Sequence, residues 1–269
     1  MSATLNHFGL KHSPFGKEIA DSDLWLPPSK KRVVDDLVEA VEQRASVLLI
    51  GDPGVGKTTV LRALRHRLGE GRFRLTYCHN ATLGRRDFYR QLCLALGLSP
   101  SATAAAVFYA VSTHVEELGR EHLHPVFLLD EAHLMHQDTL EHLHILLNYE
   151  WDSRSLLSLV LLGLPELHDR MQLRRNRSLY SRLQHRLSIG GLTPDDTLDY
   201  VRHRLKLAGC DRELFATDAI AMMHEAAVGS LREVDRVATH SLAWACRKKR
   251  KLVERDLVEA ILASERRDD

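Results

Sequence analysis

Three stretches of the chain are apolar at almost every position: Ala45–Ile50, Val126–Leu129 and Leu156–Gly163. Runs this short and this continuously apolar read as strands buried on both faces, as in a parallel sheet, and Phe73–Cys78 reads as a fourth strand. Between them the apolar residues recur at helical spacing, in Val60–Leu68, Arg85–Leu96 up to Gly97, and Leu134–Tyr149. Strand and helix alternate, which predicts an α/β fold with a parallel sheet flanked by helices. Residues up to Pro28 are rich in turn formers, and Ser29 is placed to cap a helix running through Arg32–Val41. After Gly190-Gly191-Leu192 no further strand is expected, and the periodicity predicts helices over Asp195–Ala208, Thr217–Ala227, Leu231–Arg247 and Glu254–Ser264. The expected organisation is a turn-rich segment (1–28), an α/β domain (29–192) and a small all-helical lid domain (193–269). No internal repeat or low-complexity linker interrupts it.

The first apolar run leads into Gly51-Asp52-Pro53-Gly54-Val55-Gly56-Lys57-Thr58-Thr59, which fits G-x-x-x-x-G-K-[ST] at every fixed position. Glycines let the backbone curl with its N–H groups inward, and the following helix adds its positive end, so a polyphosphate is held largely by main chain. Lys57 is expected at the β- and γ-phosphates, and the Thr58 hydroxyl at Mg²⁺. The second apolar run ends in Asp130-Glu131, two carboxylates at the C-terminal end of a strand, where open α/β sheets place their ligands. Asp130 is the expected metal partner. Glu131 is set to orient or deprotonate a water attacking the γ-phosphate. Together these residues imply ATP with Mg²⁺ and a hydrolytic reaction.

Composition narrows the setting. The chain has 269 residues, 44% hydrophobic, enough for one large core or a core with a satellite domain. Lys and Arg number 37 against 36 Asp and Glu. Any polyanion site must therefore come from local clustering rather than global charge. Cys78, Cys93, Cys210 and Cys246 stand far apart without a C-x-x-C pair, which suits buried thiols in a reducing compartment. No run reaches the length of a membrane span and the N-terminus lacks a signal-peptide layout, so a cytoplasmic protein is expected. His122/His124, His133/His136 and His142/His144 lack a metal-binding spacing and read as surface or interface groups.

The order of elements, with Phe8-Gly9-Leu10, Pro14-Phe15, the loop from Gly51 to Thr59, Leu128-Leu129-Asp130-Glu131-Ala132-His133, Leu147-Asn148-Tyr149-Glu150 and Leu162-Gly163-Leu164-Pro165-Glu166-Leu167, resembles the AAA+ P-loop NTPases. Within them it is most similar to the ExeA-type branch, which holds a secretion ATPase and the transposon ATPase subunits of the TnsC, TniB, IstB and MuB kinds. That resemblance implies a trans-acting arginine at the end of the large domain, for which Arg182 stands first and Arg186 second, and a cis-acting arginine early in the lid, matched by Arg232. An arginine reaching a neighbour's γ-phosphate makes hydrolysis depend on assembly. The alternative reading of Arg182 and Arg186, spaced i,i+4, is a solvated helix face. The branch places a polar side chain after the strand-ending glycine, where this chain has Leu164. Asn148 is the nearest polar candidate for that role, and equally an amide on a helix face.

Three basic clusters could meet a phosphate backbone: Arg85 and Arg86 with Arg90, the run from Arg170 to Arg177, and Lys248-Lys249-Arg250-Lys251. Each alone reads as a solvated face, but in a ring or filament of copies small patches repeat into a continuous track. The resemblance ranks the Arg85 region first. It implies an ATPase that oligomerises on duplex DNA and recruits or activates a transposase. The alternative is an ATPase serving assembly of a secretion apparatus, with no role for DNA.

Overall fold

The computed structural model describes residues 2–78, 82–99, 103–151 and 153–265. In chain order the helices and strands are α1 (Ser2–Phe8), α2 (Pro28–Glu42), β1 (Ser46–Gly51), α3 (Lys57–Arg67), β2 (Phe73–Cys78), α4 (Arg85–Ala95) and α5 (Ala104–Arg120). Then come β3 (His124–Leu129), α6 (Gln137–Leu146), β4 (Ser158–Gly163), α7 (Glu166–Gln172), α8 (Arg177–Tyr180) and β5 (Leu183–Ile189). Four helices close the described chain: α9 (Pro194–Leu207), α10 (Thr217–Ala227), α11 (Leu231–Arg247) and α12 (Arg255–Glu265).

Contacts divide the chain into two compact units. One comprises Lys31–Gly51 and Val60–Ile189, the other Met1–Lys30, Asp52–Thr59 and Gly190–Asp269. This division differs from the three consecutive regions expected from the sequence, whose outermost residues, 1 and 266–269, lie outside those described.

The first unit is built on a five-stranded parallel sheet in the order β2-β3-β4-β1-β5. β3 and β4 are buried at every position and β1 at all but one. That is why their sequences are unbroken apolar runs rather than alternating ones. Phe127, Leu129, Leu159 and Leu161 form a core with Phe88 and Leu92 of α4, Val107 and Val111 of α5, and Leu140 and Leu143 of α6. Because all strands run parallel, Gly51 at the end of β1 and Leu129 at the end of β3 reach the same edge of the sheet.

β5 is a strand the apolar pattern did not predict. Its exposed positions carry Gln184, Arg186 and Ser188 between the less exposed Leu183, His185, Leu187 and Ile189, the period-two pattern of an edge strand. It pairs with β1 alone, and the Gln184 carboxamide oxygen accepts from the Ser46 N–H at 2.8 Å where the register shifts. The helix expected over Leu134–Tyr149 is also shorter. Ala132–Leu134 form a 3-10 turn, Met135 is extended, and α6 ends at Leu146. The Ser29 cap is corrected too, since α2 begins at Pro28 and Ser29 lies inside it.

The second unit joins both ends of the described chain in one apolar cluster. Phe8, Leu10 and Phe15 are buried with Val201, Phe215, Met223, Val237 and Leu257. The N-terminal segment, read as turns, thus holds a helix and core residues of the helical unit. A buried polar network fastens it. Arg204 donates to the carbonyls of Pro14 at 2.6 Å and Gly16 at 2.7 Å and to the Tyr200 hydroxyl at 2.8 Å, and Tyr200 donates to Asp235 at 2.7 Å. Burial pushes the Asp235 carboxyl up to about 6, against the pull of Tyr200 and Arg204. All four cysteines are free, three of them buried and Cys246 partly so. No helix among the described residues is long and apolar enough to cross a membrane.

Candidate nucleotide site

The chain leaves β1 at Gly51, turns through Asp52–Gly56 and enters α3 at Lys57. Gly54 and Gly56 take φ of 78° and 101°, left-handed values that any residue with a Cβ adopts only with strain. Neither has room for one. A Cβ on Gly54 would collide with the Ser230 hydroxyl and come within 3.0 Å of the Arg232 Cβ, and one on Gly56 would meet Leu231 Cδ1 at 2.9 Å. The loop and the first turn of α11 are therefore packed backbone against side chain, and the Arg232 N–H points at the Gly54 carbonyl at 3.4 Å. Lys57 is buried, with its ammonium donating to the Asp52 carbonyl at 3.0 Å, while Thr58 is exposed. A cavity of about 370 Å³ lies beside the loop, lined by Asp52, Pro53, Val55, Gly191, Arg232 and Glu233 among others. The curled glycine backbone, the helix start and the inward lysine fit a nucleotide's phosphates. Lys57 and the loop would hold them, with Thr58 free to face a divalent cation. Arg232 lies in the first turn of α11, beside this loop.

At the sheet edge, the Asp130 N–H donates to the Cys78 carbonyl at 2.9 Å, so β2 pairing carries on one residue past β3. The buried carboxylate is held at both oxygens. Oδ1 accepts the Glu131 N–H at 2.9 Å and Oδ2 accepts the Tyr77 hydroxyl at 2.7 Å. Burial, followed by this hydrogen bond and the charges of Asp130 and Glu131, pushes the Tyr77 hydroxyl far above the usual phenol range. Glu131 has φ 53°, a left-handed conformation that turns the chain sharply and leaves its side chain 46% exposed.

His133, read as a surface or interface group, is largely enclosed. Its side chain is 12% exposed, with Nδ1 3.6 Å from the Glu131 carboxylate and accepting the Leu164 N–H at 3.4 Å. Arg170 braces the same turn by donating to the carbonyls of His133 and Met135. His124 is buried and bonds Ser158 at 2.9 Å, while the partly buried His142 bonds the Tyr89 hydroxyl at 3.0 Å. Among the described residues, no group of three or more His, Cys, Asp or Glu is placed to hold a metal.

The remaining candidates separate. Asn148 lies past the end of α6, exposed, before the Tyr149–Arg154 bridge, so it is not on a helix face. Arg182 sits in the turn before β5, donating to the Ser178 carbonyl at 3.1 Å, and Arg186 is on β5 with its guanidinium 4.0 Å over the Tyr180 ring. The helix-face reading of that pair is thereby overturned. Arg85 and Arg86 are exposed on the first turn of α4, with Arg90 partly buried a turn later. In the second cluster Arg170 is the brace just described, while Arg174, Arg175 and Arg177 remain exposed. In the third, Arg250 pairs with Asp256 at 2.7 Å, and Lys251 donates to the His7 carbonyl at 2.6 Å.

Tyr77 was not singled out in the sequence, and the contacts made by His133 and Arg170 were not foreseen there. Their roles depend on partners 53, 31 and 37 residues away, and no spacing in the chain announces them.

Residues 39–171 match the family model described as an AAA domain. The fold, a parallel five-stranded sheet flanked by helices, is that of the AAA+ P-loop NTPases, and the stretch from 39 to 171 is what resembles the AAA domain. Among characterised proteins it is 30% identical over 254 residues to general secretion pathway protein A of Aeromonas hydrophila, covering 93% of this chain and 46% of that protein. The chain thus spans less than half the length of that relative. Among solved structures it resembles the Drosophila ORC bound to DNA, with TM-score 0.72 and 18% identity over 98% of this chain and 66% of that one. It also resembles Cdc6p from Pyrobaculum aerophilum, with TM-score 0.68 and 18% identity over 87% and 68% of the two chains. A third is the Holliday junction branch migration motor RuvB of Thermotoga maritima, with TM-score 0.60 and 17% identity over 94% and 73%. At these identities the likeness to solved structures establishes the fold.

Proposed function

We propose that the chain binds ATP with Mg²⁺, hydrolyses it in assemblies of its own copies, and in the ATP state encloses duplex DNA to recruit or activate a transposase. The loop from Gly51 to Thr59 holds the phosphates, Lys57 neutralises the β- and γ-groups, and Thr58 and Asp130 hold the metal. When bound, the metal draws charge from the phosphate oxygens. Glu131 aims the attacking water, and Arg232 acts on the nucleotide of its own subunit. Arg182 completes a neighbour's site, with Arg186 and Asn148 as reserve candidates for contacts at the γ-phosphate. Both Asp130 oxygens are fixed by hydrogen bonds, so the metal ligand is oriented before any ion arrives.

One observation carries the DNA reading: Arg85 and Arg86 stand exposed on the first turn of α4. Two adjacent exposed guanidinium groups are the kind of contact that a phosphate backbone takes. Binding should then be ATP-dependent, largely indifferent to sequence and steeply weakened by salt. Fluorescence anisotropy of a random-sequence duplex, with ATP, with ADP and without nucleotide at two salt concentrations, measures this. Replacing Arg85 and Arg86 by Ala should lower affinity uniformly and flatten the salt slope by about two contacts. Changing Lys248 and Lys249 should matter less.

The identity to general secretion pathway protein A favours a second reading, an ATPase serving assembly of a secretion apparatus. Absence of duplex binding in every nucleotide state at low salt would leave that reading in place of the first.

A further inference from the structure

α2 carries three consecutive basic residues, Lys30, Lys31 and Arg32, of which the last two are exposed and the first is 1% exposed. Lys30 stands in the helix's apolar stripe, at the spacing shared with the buried Val34, Leu37 and Val41. A helix of this pattern places an aliphatic side chain there. An ammonium in that position is costly unless an anion compensates it. The compensation at hand is modest: Nζ donates to the Gly190 carbonyl at 3.2 Å, and Asp196 acts on it only through space. Burial accordingly pulls the ammonium below its ordinary range, with Asp196 opposing.

What lies next to the side chain is the phosphate loop. The Lys30 Cε is 3.6 Å from the position a Cβ would take on Gly56, and Thr59 Oγ1 is 3.8 Å from the same point. Arg232 packs instead on Gly54, at the other glycine of the loop. The two basic side chains therefore address different ends of the loop.

We propose that Lys30 is a further nucleotide-binding residue, whose buried ammonium reaches the loop at Gly56 and takes the α/β-phosphate side of a bound nucleoside di- or triphosphate. The inference rests on the nucleotide reading above. It makes the loop doubly cationic, with Lys57 supplied from α3 and Lys30 from α2, and it assigns Lys30 to ATP and ADP alike. Arg232 is reserved for the γ-phosphate. The polyanion supplies the counter-charge that the surrounding residues provide only in part.

The test is calorimetric titration of ATP and of ADP into the parent chain, Lys30→Met and Lys30→Arg, together with melting curves without nucleotide. Lys30→Met keeps the length of the side chain and removes its charge. It should weaken ATP and ADP by the same factor, about tenfold or more, as for one charge-assisted hydrogen bond. Its nucleotide-free melting temperature should equal or exceed the parent's, because an ill-compensated buried charge has been removed. Lys30→Arg should retain part of the lost affinity. Unchanged affinity for both nucleotides in Lys30→Met, beside a parent that binds them, would overturn this inference and leave the nucleotide reading standing. A Lys30→Met chain that melts well below the parent would assign the lysine a structural role and overturn it as well. Failure of the parent itself to bind either nucleotide would remove both.

Discussion

Asp130 and Glu131 are chain neighbours held in opposite ways. The aspartate is buried and fixed at both oxygens, as suits a metal ligand, whereas the glutamate leaves the strand through a left-handed turn and keeps its carboxylate half-exposed near His133. That contrast predicts separable effects. Glu131→Gln preserves shape and the Asp130 hydrogen bonds while removing the base, so ATP affinity should persist while turnover falls about 10²-fold or more. Lys57→Ala should instead abolish ATP binding, because it takes away the inward charge of the loop. Calorimetry paired with a phosphate-release assay separates the two variants. Parental turnover in Glu131→Gln would show that another group handles the water.

β3 and β4 are joined by more than their backbone ladder, since His124 bonds Ser158 across them with both side chains buried. Burial, with the charge of Arg44 adding, lowers the His124 imidazole from 6.5 to about 4. In the folded chain it stays neutral where the unfolded chain takes up a proton. Stability from this group is therefore complete above about pH 6.5 and is lost as pH falls toward 4, by roughly 3 kcal/mol at most. Asp235 works in the opposite sense: its raised carboxyl loses part of its penalty as pH falls through about 6. Comparing the parent with His124→Gln at each pH cancels the Asp235 contribution. Urea unfolding should show the parent losing more stability than His124→Gln between about pH 7.5 and pH 4.5. Parallel losses would mean that His124 is protonated without penalty.

The proposed role of Arg182 is tested at the level of assembly. Arg182 sits in the turn before β5, donating to the Ser178 carbonyl. If each active site draws Lys57 from one subunit and Arg182 from the next, inactive variants should complement. Mixtures of Arg182→Ala with Lys57→Ala should recover a measurable fraction of turnover, because some interfaces then hold both intact groups. A mixture that co-assembles by light scattering yet stays inactive would place Arg182 within its own subunit's site or outside the reaction. The N-terminal segment bears on the same experiments, since Phe8, Leu10 and Phe15 are core residues of the helical unit and Arg204 fastens Pro14 and Gly16. Variants made there should report on folding rather than on chemistry.

The place of the glycine-rich loop and of Asp130-Glu131 at strand ends was legible because each is a run of consecutive residues preceded by an apolar stretch that reads as an interior strand. Helices α10 and α11 have the bounds that helical periodicity predicted, since an amphipathic stripe is a local property. β5 escaped because an edge strand with polar residues at alternate positions offers little apolar signal until β1 is beside it. Burial of Lys30, the clasp of Tyr77 on Asp130, the Arg170 brace and the place of α1 in the helical core join residues far apart in the chain. Such pairings cannot be read from spacing, because close packing decides which of many polar side chains near a turn is enclosed with a partner and which is left to water.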